Sequence, residues 1–321
     1  MEHPSQKGAS ISAHSLRVFD PDQLVEAVGS SDLMHTQLGR GRFEGSLLAT
    51  EFKRLRLDSG WYNRSLISRG GFPPDRIVIG CLIDAAEAGR MNGYRFDRHD
   101  VVVFPEGAEM DYLLPGETRW AAIQVAREDI EHALQTRLPI REVRVIPGSI
   151  VARFSFVAHL KALLREIGAE SSSGGVLHSP DYELYESLLF DDVCRLLCAE
   201  WQDLGHGTSH NRQLTILHRF EQLVHTTSTP CLRIGDMAHE LGVSPRTLEH
   251  YLKDYLGLSP KQYLNCLRLN AIHRDLMQAK RDGTTVEAIA RAHGVTHLGR
   301  FSASYRQQFG CNPSKTLSHA F

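Results

Sequence analysis

Apolar and small residues follow the same pattern twice in the last ninety or so residues of the chain. The matching pairs are Ala238 and Ala290, Gly242 and Gly294, Leu248 and Phe301, and Leu252 and Tyr305. Their separation is 52 residues before the turn and 53 after it, so the second copy has one extra residue in its turn. An alanine one helical turn before a glycine permits close helix packing, and glycine tolerates the left-handed backbone of a tight turn. The pattern therefore predicts two helix-turn-helix units.

A long helix is predicted between the two units. Ser259, Pro260 and Gln262 combine an N-cap, a proline at the first helical position and a capping-box partner, and an apolar stripe follows as far as Leu276. A helix from Pro260 to Gln278 would be about 28 Å long, close to the ~34 Å between successive major-groove faces on one side of a duplex. This spacing predicts that the two units read adjacent grooves.

Cap residues are predicted at other helix starts as well. Ser244 and Thr296 are expected to cap the second helix of each unit, because a hydroxyl there accepts from an unpaired backbone N–H group. Thr284 and Glu287 have the spacing of a second capping box, which would start the first helix of the second unit.

The outward faces of the second helices are polar, as in recognition helices. Arginine can bridge guanine O6 and N7, a carboxylate can accept from cytosine N4, and imidazole can reach a purine edge. The predicted base-reading residues are Arg246, Glu249, His250, Arg300 and Ser302. The predicted phosphate contacts are Lys253, Lys261, Arg306 and Lys315. The alternative interpretation of Arg246, Glu249 and His250 is a solvated surface charge.

Charge is distributed unevenly along the chain. After residue 228 there are 12 Lys and Arg against 7 Asp and Glu, although the whole chain has a net charge of -2. A basic tail on an acidic remainder suits contact with DNA phosphates. The alternative is a helical packing module without nucleic acid, but two motifs in register on one connecting helix favour DNA.

The stretch from about Pro230 to Phe321 resembles the DNA-binding domain of the AraC/XylS family of bacterial transcription regulators. The shared motifs include Ala238-x3-Gly242-Val-Ser, Gly257-Leu-Ser-Pro260-x2-Tyr263-Leu264 and Gly310-x2-Pro313. The resemblance covers under a third of the chain. Val295 and Thr316-Leu317 depart from the family pattern, which bears on the grip of the second unit rather than on the architecture. The resemblance implies two helix-turn-helix units on a connecting helix, a homodimer, and contact with RNA polymerase.

Short apolar runs separated by turn residues extend from about Phe43 to Val125. This rhythm predicts a small antiparallel β-barrel or sandwich. The segment Asp100-Val-Val-Val-Phe104 and the proline after it resemble a strand and turn of the cupin-like sensor domains in the same family. The head as a whole is more distantly similar to the ethanolamine-operon regulator type.

The predicted fold class is α+β, in three parts. Residues 1–126 form an effector-sensing β-barrel-like domain, residues 127–227 a helical dimerisation or linker region, and residues 228–321 an all-α DNA-binding domain. Pairing of subunits through the helical region follows from the family resemblance. The alternative is that its apolar stripes are intramolecular core.

Aromatic side chains of the head, with one arginine, are candidates to line an effector pocket. They are Trp61, Tyr62, Arg64, Tyr94, Tyr112 and Trp120. An enzyme of the cupin type would need a cluster of metal ligands, and His99 stands alone in this stretch. The sequence therefore predicts no catalytic residue, no metal site and no cofactor. Cys194 and Cys198 share one helix face, either as core residues or as a redox pair.

Composition indicates where such a protein works. The first fifteen residues contain no apolar run, and the longest apolar stretch, Ile77–Ile83, is too short to span a bilayer. Six scattered cysteines fit a reducing compartment. These features favour a cytoplasmic protein that does not enter a membrane.

The sequence thus predicts a sequence-specific transcription regulator, an effector-responsive activator that binds double-stranded DNA as a homodimer. Two alternatives stay open for the head, which either binds a protein partner or serves only to dimerise. A small-molecule effector is expected if the head encloses a cavity.

Overall fold

The computed structural model describes residues 9–24, 33–146, 151–170, 175–179, 181–198, 208–226, 233–279 and 284–319. Antiparallel sheets form the N-terminal part and helices the C-terminal part, so the fold is α+β. The strands are β1 Ala9–Val18, β2 Met34–Gln37, β3 Gly45–Glu51, β4 Leu55–Tyr62, β5 Leu66–Gly71, β6 Arg76–Asp84, β7 Gly89–Met91, β8 Tyr94–Phe96, β9 Val101–Phe104, β10 Glu109–Leu114, β11 Thr118–Ala126, β12 Arg144–Ile146 and β13 Gly175–Ser179. The helices are α1 Arg127–Leu134, α2 Val151–Glu170, α3 Asp181–Cys198, α4 Thr208–Thr226, α5 Ile234–Glu240, α6 Pro245–Leu256, α7 Pro260–Gln278, α8 Val286–Ala292, α9 Leu298–Phe309 and α10 Pro313–His319.

Two sheets pack face to face in the head. The larger has the strand order β12-β9-β6-β11-β4-β3-β1-β13, and the smaller has the order β2-β5-β10-β7-β8. An apolar cluster that includes Leu47, Val102 and Met110 draws on both sheets and fills the space between them. Strand β13 pairs with β1, with Ser179 opposite Ala9. The segment 127–227 is therefore not purely helical, since it adds two strands to the larger sheet.

Helices α2 and α3 cover the other face of the larger sheet. Phe156, Leu160, Leu163 and Ile167 recur every three or four residues along α2, and all four are buried. Successive strand residues point to opposite faces, so a sheet covered on both sides buries all of them. The whole of Val101–Phe104 is buried for this reason.

Two small cores flank α7 in the helical tail. Phe220 and Leu248 belong to the first, which unites α4, α5, α6 and the first half of α7. Ile272 and Tyr305 belong to the second, which unites the rest of α7 with α8 and α9. The predicted bounds of the long helix are confirmed, and its capping box at Ser259 is present. Each short helix pair thus has its own core, and α7 joins them.

The turns within the two helix pairs differ at one cap. Gly242 and Gly294 have φ angles of +67° and +75°, the left-handed conformation predicted for both. Ser244 caps α6 as predicted. The prediction that Thr296 caps α9 is wrong: His297 is the N-cap, and its side chain makes no capping hydrogen bond. The extra residue of the second turn shifts the helix start by one position.

The second predicted capping box is also wrong. Thr285, rather than Thr284, is the N-cap of α8, and its hydroxyl accepts from the Ala288 N–H group at 3.1 Å. Glu287 then lies in the first turn, where it pairs with Arg291 at 2.7 Å. A hydroxyl at two consecutive positions gave the sequence two possible registers, and the chain uses the later one.

Candidate nucleic-acid interface and sensor cavity

The outward face of α6 carries the first set of predicted DNA contacts. Leu248, Leu252 and Tyr255 are buried on the inner face of the helix. The intervening positions therefore face solvent. The exposed side chains there are Arg246, Glu249, His250 and Lys253. One helix thus presents three predicted base readers and one predicted phosphate contact to the same side.

Glu249 and Lys253 form an ion pair one helical turn apart, with 2.8 Å between Lys253 Nζ and Glu249 Oε1. The hydrogen bond from Lys253, together with its charge, lowers the pKa of Glu249. Both side chains are at least half exposed, so the pair adds little stability. Both groups keep further hydrogen-bonding capacity, so the pair does not prevent contact with a base or a phosphate.

The second helix pair presents a sparser polar face. On α9, Arg300 and Arg306 are exposed and Ser302 is half-buried. Lys261, in the first turn of α7, and Lys315, on α10, are exposed as well. Groups with directional hydrogen bonds are therefore concentrated on α6.

The second helix pair is docked onto the head through Gln37 of β2. The Gln37 N–H group donates to Asn270 Oδ1 at 2.9 Å, and Asn270 Nδ2 donates to the Gln37 carbonyl at 3.1 Å. Gln308 of α9 donates through Nε2 to the same carbonyl at 2.8 Å, and its own carbonyl accepts from Gln37 Nε2 at 2.9 Å. All three residues are buried. Sequence reasoning missed them, although an asparagine within the apolar stripe of α7 was a signal.

A charged cluster joins the head to α4 and α6. Arg69 of β5 and Asp111 of β10 form an ion pair at 2.6 Å. Arg69 also pairs with Glu221, and Asp111 also bonds His218, both on α4. Tyr255 of α6 donates to Asp111 at 3.4 Å. Although burial acts to raise the pKa of Asp111, the hydrogen bond from His218 and the charge of Arg69 hold it below its ordinary value. These bonds thus hold the head against two helices of the first core, α4 and α6.

An apolar cavity of about 70 Å³ lies between the two sheets of the head. Of the six predicted lining residues, Tyr62, Tyr112 and Trp120 contribute to its wall. The residues that do not line it are Trp61, Arg64 and Tyr94. Successive side chains of a strand point to opposite faces, so Trp61 cannot share the cavity with its neighbour Tyr62. The Tyr62 and Tyr112 hydroxyl oxygens are 3.4 Å apart.

Two titratable side chains that sequence reasoning missed also line this cavity. His35 Nδ1 bonds Ser68 Oγ, and within the described ranges its Nε2 has no partner. Burial lowers the pKa of His35 to about 4, so the ring is neutral at physiological pH. Burial raises the pKa of Asp58 to about 6, against the opposing effects of Arg56 and Gln124. The cavity therefore combines apolar walls with a few polar groups.

Cys194 and Cys198 of α3 are not bonded to each other. Cys194 is buried and Cys198 is exposed. Burial raises the pKa of Cys194 to about 11, so its thiol stays protonated at neutral pH. Thiol redox chemistry proceeds through the thiolate, which favours packing as the role of Cys194.

No helix in the described ranges is long and apolar enough to cross a bilayer. In the same part of the chain, His, Cys, Asp and Glu side chains do not come together in a group of three that could hold a metal ion.

Comparison with known proteins finds matches to the helical tail. A family model described as a helix-turn-helix domain matches residues 237–319. The chain is 35% identical over 86 residues to the probable thc operon regulatory protein of Rhodococcus erythropolis. This match covers 27% of this chain and 26% of that protein. It is also 36% identical over 87 residues to the transcriptional activator RhaS of Pectobacterium atrosepticum. That match covers 27% of this chain and 30% of RhaS. The matches thus span under a third of either relative.

One solved structure from Chromobacterium violaceum, described as a transcriptional regulator with an AraC-type DNA-binding domain, is 30% identical with a TM-score of 0.31. The match covers 33% of this chain and 93% of that one.

Proposed function

This chain belongs to the AraC/XylS family of transcription regulators, and on that premise we propose that it binds DNA sequence-specifically and reads two successive major grooves. The observation that carries the proposal is the pair of short helix pairs on α7, each with its own core and a polar outer face. We take the two pairs as helix-turn-helix units. The long helix α7 sets a separation close to one turn of the duplex.

The first unit supplies most of the sequence specificity. Arg246 at the start of α6 is placed to bridge guanine O6 and N7, and Glu249 and His250 are placed to contact neighbouring base edges. Arg300 and Ser302 of the second unit add fewer directional contacts. The residues assigned to phosphates are Lys253, Lys261, Arg306 and Lys315.

The head responds to a small molecule that enters the cavity between its sheets. The apolar wall and His35 Nε2, which has no partner among the described residues, suit a ligand that is mostly apolar and carries one or two polar groups. The cavity of about 70 Å³ must enlarge for anything bigger than a few heavy atoms, since a cavity of ~150 Å³ is what binds benzene. A head that binds a protein partner or only dimerises is the alternative, and the cavity favours the ligand.

Subunit pairing is assigned to α2 and α3. Large apolar side chains are exposed on both helices: Phe154 is 60% exposed and Leu184 is 56% exposed. Burial of such side chains against a second copy would remove apolar surface from water. We assign an activator role, with contact to RNA polymerase, because the RhaS relative is an activator.

The proposal is tested by selecting binding sites for the full-length protein from random double-stranded DNA. We expect two recurring tracts whose centres lie about one helical turn, or ~10 base pairs, apart. Insertion of five base pairs between the tracts turns the second one to the opposite face of the duplex, so affinity should fall to that of a single tract. A matched control replaces the spacer sequence without changing its length and should leave affinity unchanged. Recovery of a single tract would show that only one unit reads DNA.

A further inference from the structure

Five cationic side chains line one groove beside α2, on the helix-covered side of the larger sheet. They are Arg98, Arg119, Arg153, Lys161 and Arg165, and among the described residues that line the groove Asp84 supplies the only carboxylate. The groove has a volume of about 620 Å³. Pockets that hold small ligands typically measure ~300–1,000 Å³, so the groove is large enough for a metabolite.

The groove is formed by residues spaced every four positions along α2 and by a β-bulge in the larger sheet. Arg153, Val157 and Lys161 recur every four residues and so share one face of α2. In the larger sheet Arg119 pairs with Asp84 but Trp120 pairs with Leu82, which leaves a β-bulge in β6. A bulge redirects the side chains around it. Arg119 therefore faces the groove, while its neighbour Trp120 lines the sensor cavity on the other side.

Arg153 distinguishes this groove from an ordinary solvated basic patch. The residue is only 5% exposed. Its Nη2 donates to the Arg98 carbonyl at 2.9 Å, and its Nε is buried without a hydrogen-bond partner in the described part of the chain. Its ring contact with Phe154, at 5.2 Å, does not neutralise the charge. A buried cation without a carboxylate is unfavourable, and a bound anion would relieve it.

We infer that this groove binds a small, multiply charged oxyanion of the class formed by phosphorylated and polycarboxylate metabolites. Asp84 can balance only one of the five cations, so a ligand with two or more negative charges suits the other four. Guanidinium groups bond oxyanions through paired N–H donors, which suits both phosphates and carboxylates. The groove is separate from the apolar cavity between the sheets, so the head would bind two ligands of opposite chemistry.

The test uses the full-length protein and isothermal titration with inorganic pyrophosphate, at constant ionic strength. We expect Arg119→Ala and Lys161→Ala each to weaken pyrophosphate binding about tenfold, the effect of losing one charged hydrogen bond. Both positions are exposed or half-buried, so the variants should fold. Arg137→Ala removes an exposed cation outside the groove and should leave binding unchanged.

A parallel titration with citrate distinguishes phosphorylated ligands from polycarboxylates. Tighter binding of pyrophosphate assigns the groove to phosphorylated ligands, and tighter binding of citrate assigns it to polycarboxylates. The inference is overturned if neither anion binds, or if both groove variants bind as the wild type does. Loss of affinity for random DNA in the groove variants, without an effect on pyrophosphate, would instead make the groove a DNA contact and would also overturn it.

Discussion

Asn270 and Gln37 hold each other through a two-way hydrogen bond, in which each residue donates once and accepts once. Asn270 lies where α7 passes from the first small core to the second, and Gln37 ends a strand of the head. The bonds therefore fix the head to the middle of α7. The second half of α7 carries the second helix pair, so these bonds also set the orientation of that pair relative to the head. Gln308 extends this link to α9 itself.

Two glycines test this docking as a matched pair. Gly257 and Gly310 end α6 and α9 with φ angles of +69° and +72°. A Cβ on Gly257 would meet nothing within 4 Å, whereas a Cβ on Gly310 would lie 2.7 Å from the Arg42 backbone nitrogen of the head. We expect Gly257→Ala to lower the free energy of unfolding by about 1 kcal/mol, from backbone strain alone. Gly310→Ala should lower it further.

Amide hydrogen exchange separates backbone strain, which both variants share, from loss of the contact between the head and α9. The Gly41 N–H group donates to the carbonyls of Gln307 and Gln308, at 3.1 and 3.0 Å, so it reports on the docked state. Its exchange should accelerate in Gly310→Ala and stay unchanged in Gly257→Ala. Equal behaviour of the two variants would show that the head does not hold the second helix pair in solution.

Substitution of Arg246 tests the proposed assignment of some residues to base edges and others to phosphates. We expect Arg246→Ala to weaken binding to the selected site by roughly 1–3 kcal/mol, with little change on random DNA. Lys261→Ala should weaken both by the same factor and reduce the salt dependence by about one counterion. The measurement is a titration of both DNAs at several salt concentrations. An equal loss on both DNAs for Arg246→Ala would reassign this residue to phosphate.

The buried carboxyl group of Asp58 should make stability depend on pH. Its pKa is raised from 3.8 to about 6 in the folded protein, so folding favours the protonated form. The stability from this group is present below pH 4 and is lost as the pH rises through 6. Asp58→Asn should therefore be more stable than the wild type at pH 8, by on the order of 2–3 kcal/mol, and this gain should disappear at pH 4.

Thermal denaturation at the two pH values measures the difference. Glu51 is the matched control, since it bonds the same Arg56 at 3.0 Å but is exposed. Glu51→Gln should show no gain that depends on pH in this way. If the gain of Asp58→Asn were the same at pH 4 and pH 8, Asp58 would not be titrating between them.

Stability should respond in opposite directions to alanine at two strand glycines near the cavity between the sheets. A Cβ on Gly60 would lie 2.7 Å from the Trp120 ring, whereas the nearest atom to a Cβ on Gly80 is the Ala121 carbonyl oxygen at 4.0 Å. Gly60→Ala should destabilise the protein by roughly 1–3 kcal/mol and change the tryptophan fluorescence, because Trp120 must move. Gly80→Ala should stabilise it by about 0.4–1 kcal/mol through the unfolded state. Unchanged stability of Gly60→Ala would mean that the ring is not fixed against this strand.

Local signals explain which elements the sequence predicted well. The long helix from Pro260 to Gln278 has an N-cap, a first-turn proline and a capping box within four residues, and its predicted bounds are confirmed. The prediction of an N-cap at Thr296 was wrong because the extra residue of that turn moves the start of α9 by one position. Each of these outcomes depends on interactions within one or two helical turns, which a sequence displays directly.

The candidate site was predicted only in part, because its missing pieces are not local. The alternation of strand side chains decides that Tyr62 faces the cavity and Trp61 does not, and that choice depends on which face the second sheet covers. The polar outer face of α6, which carries the predicted DNA contacts, followed from helix periodicity, and the structure has Arg246 and its neighbours on one exposed face. The bonds between Gln37 and Asn270 join residues 233 positions apart in the chain, and the spacing of residues in the sequence does not predict such a contact.

Strand β13 is the edge strand of the larger sheet and pairs with β1, although these strands lie about 170 residues apart. A ribosome that adds ~5–20 residues per second needs roughly 10–30 s to deliver β13 after β1 has been made. During this interval one edge of β1 is open to pairing with another nascent chain. The yield of correctly folded protein should therefore depend on the rate of translation, and slow synthesis of the segment between these strands would lengthen the period of risk.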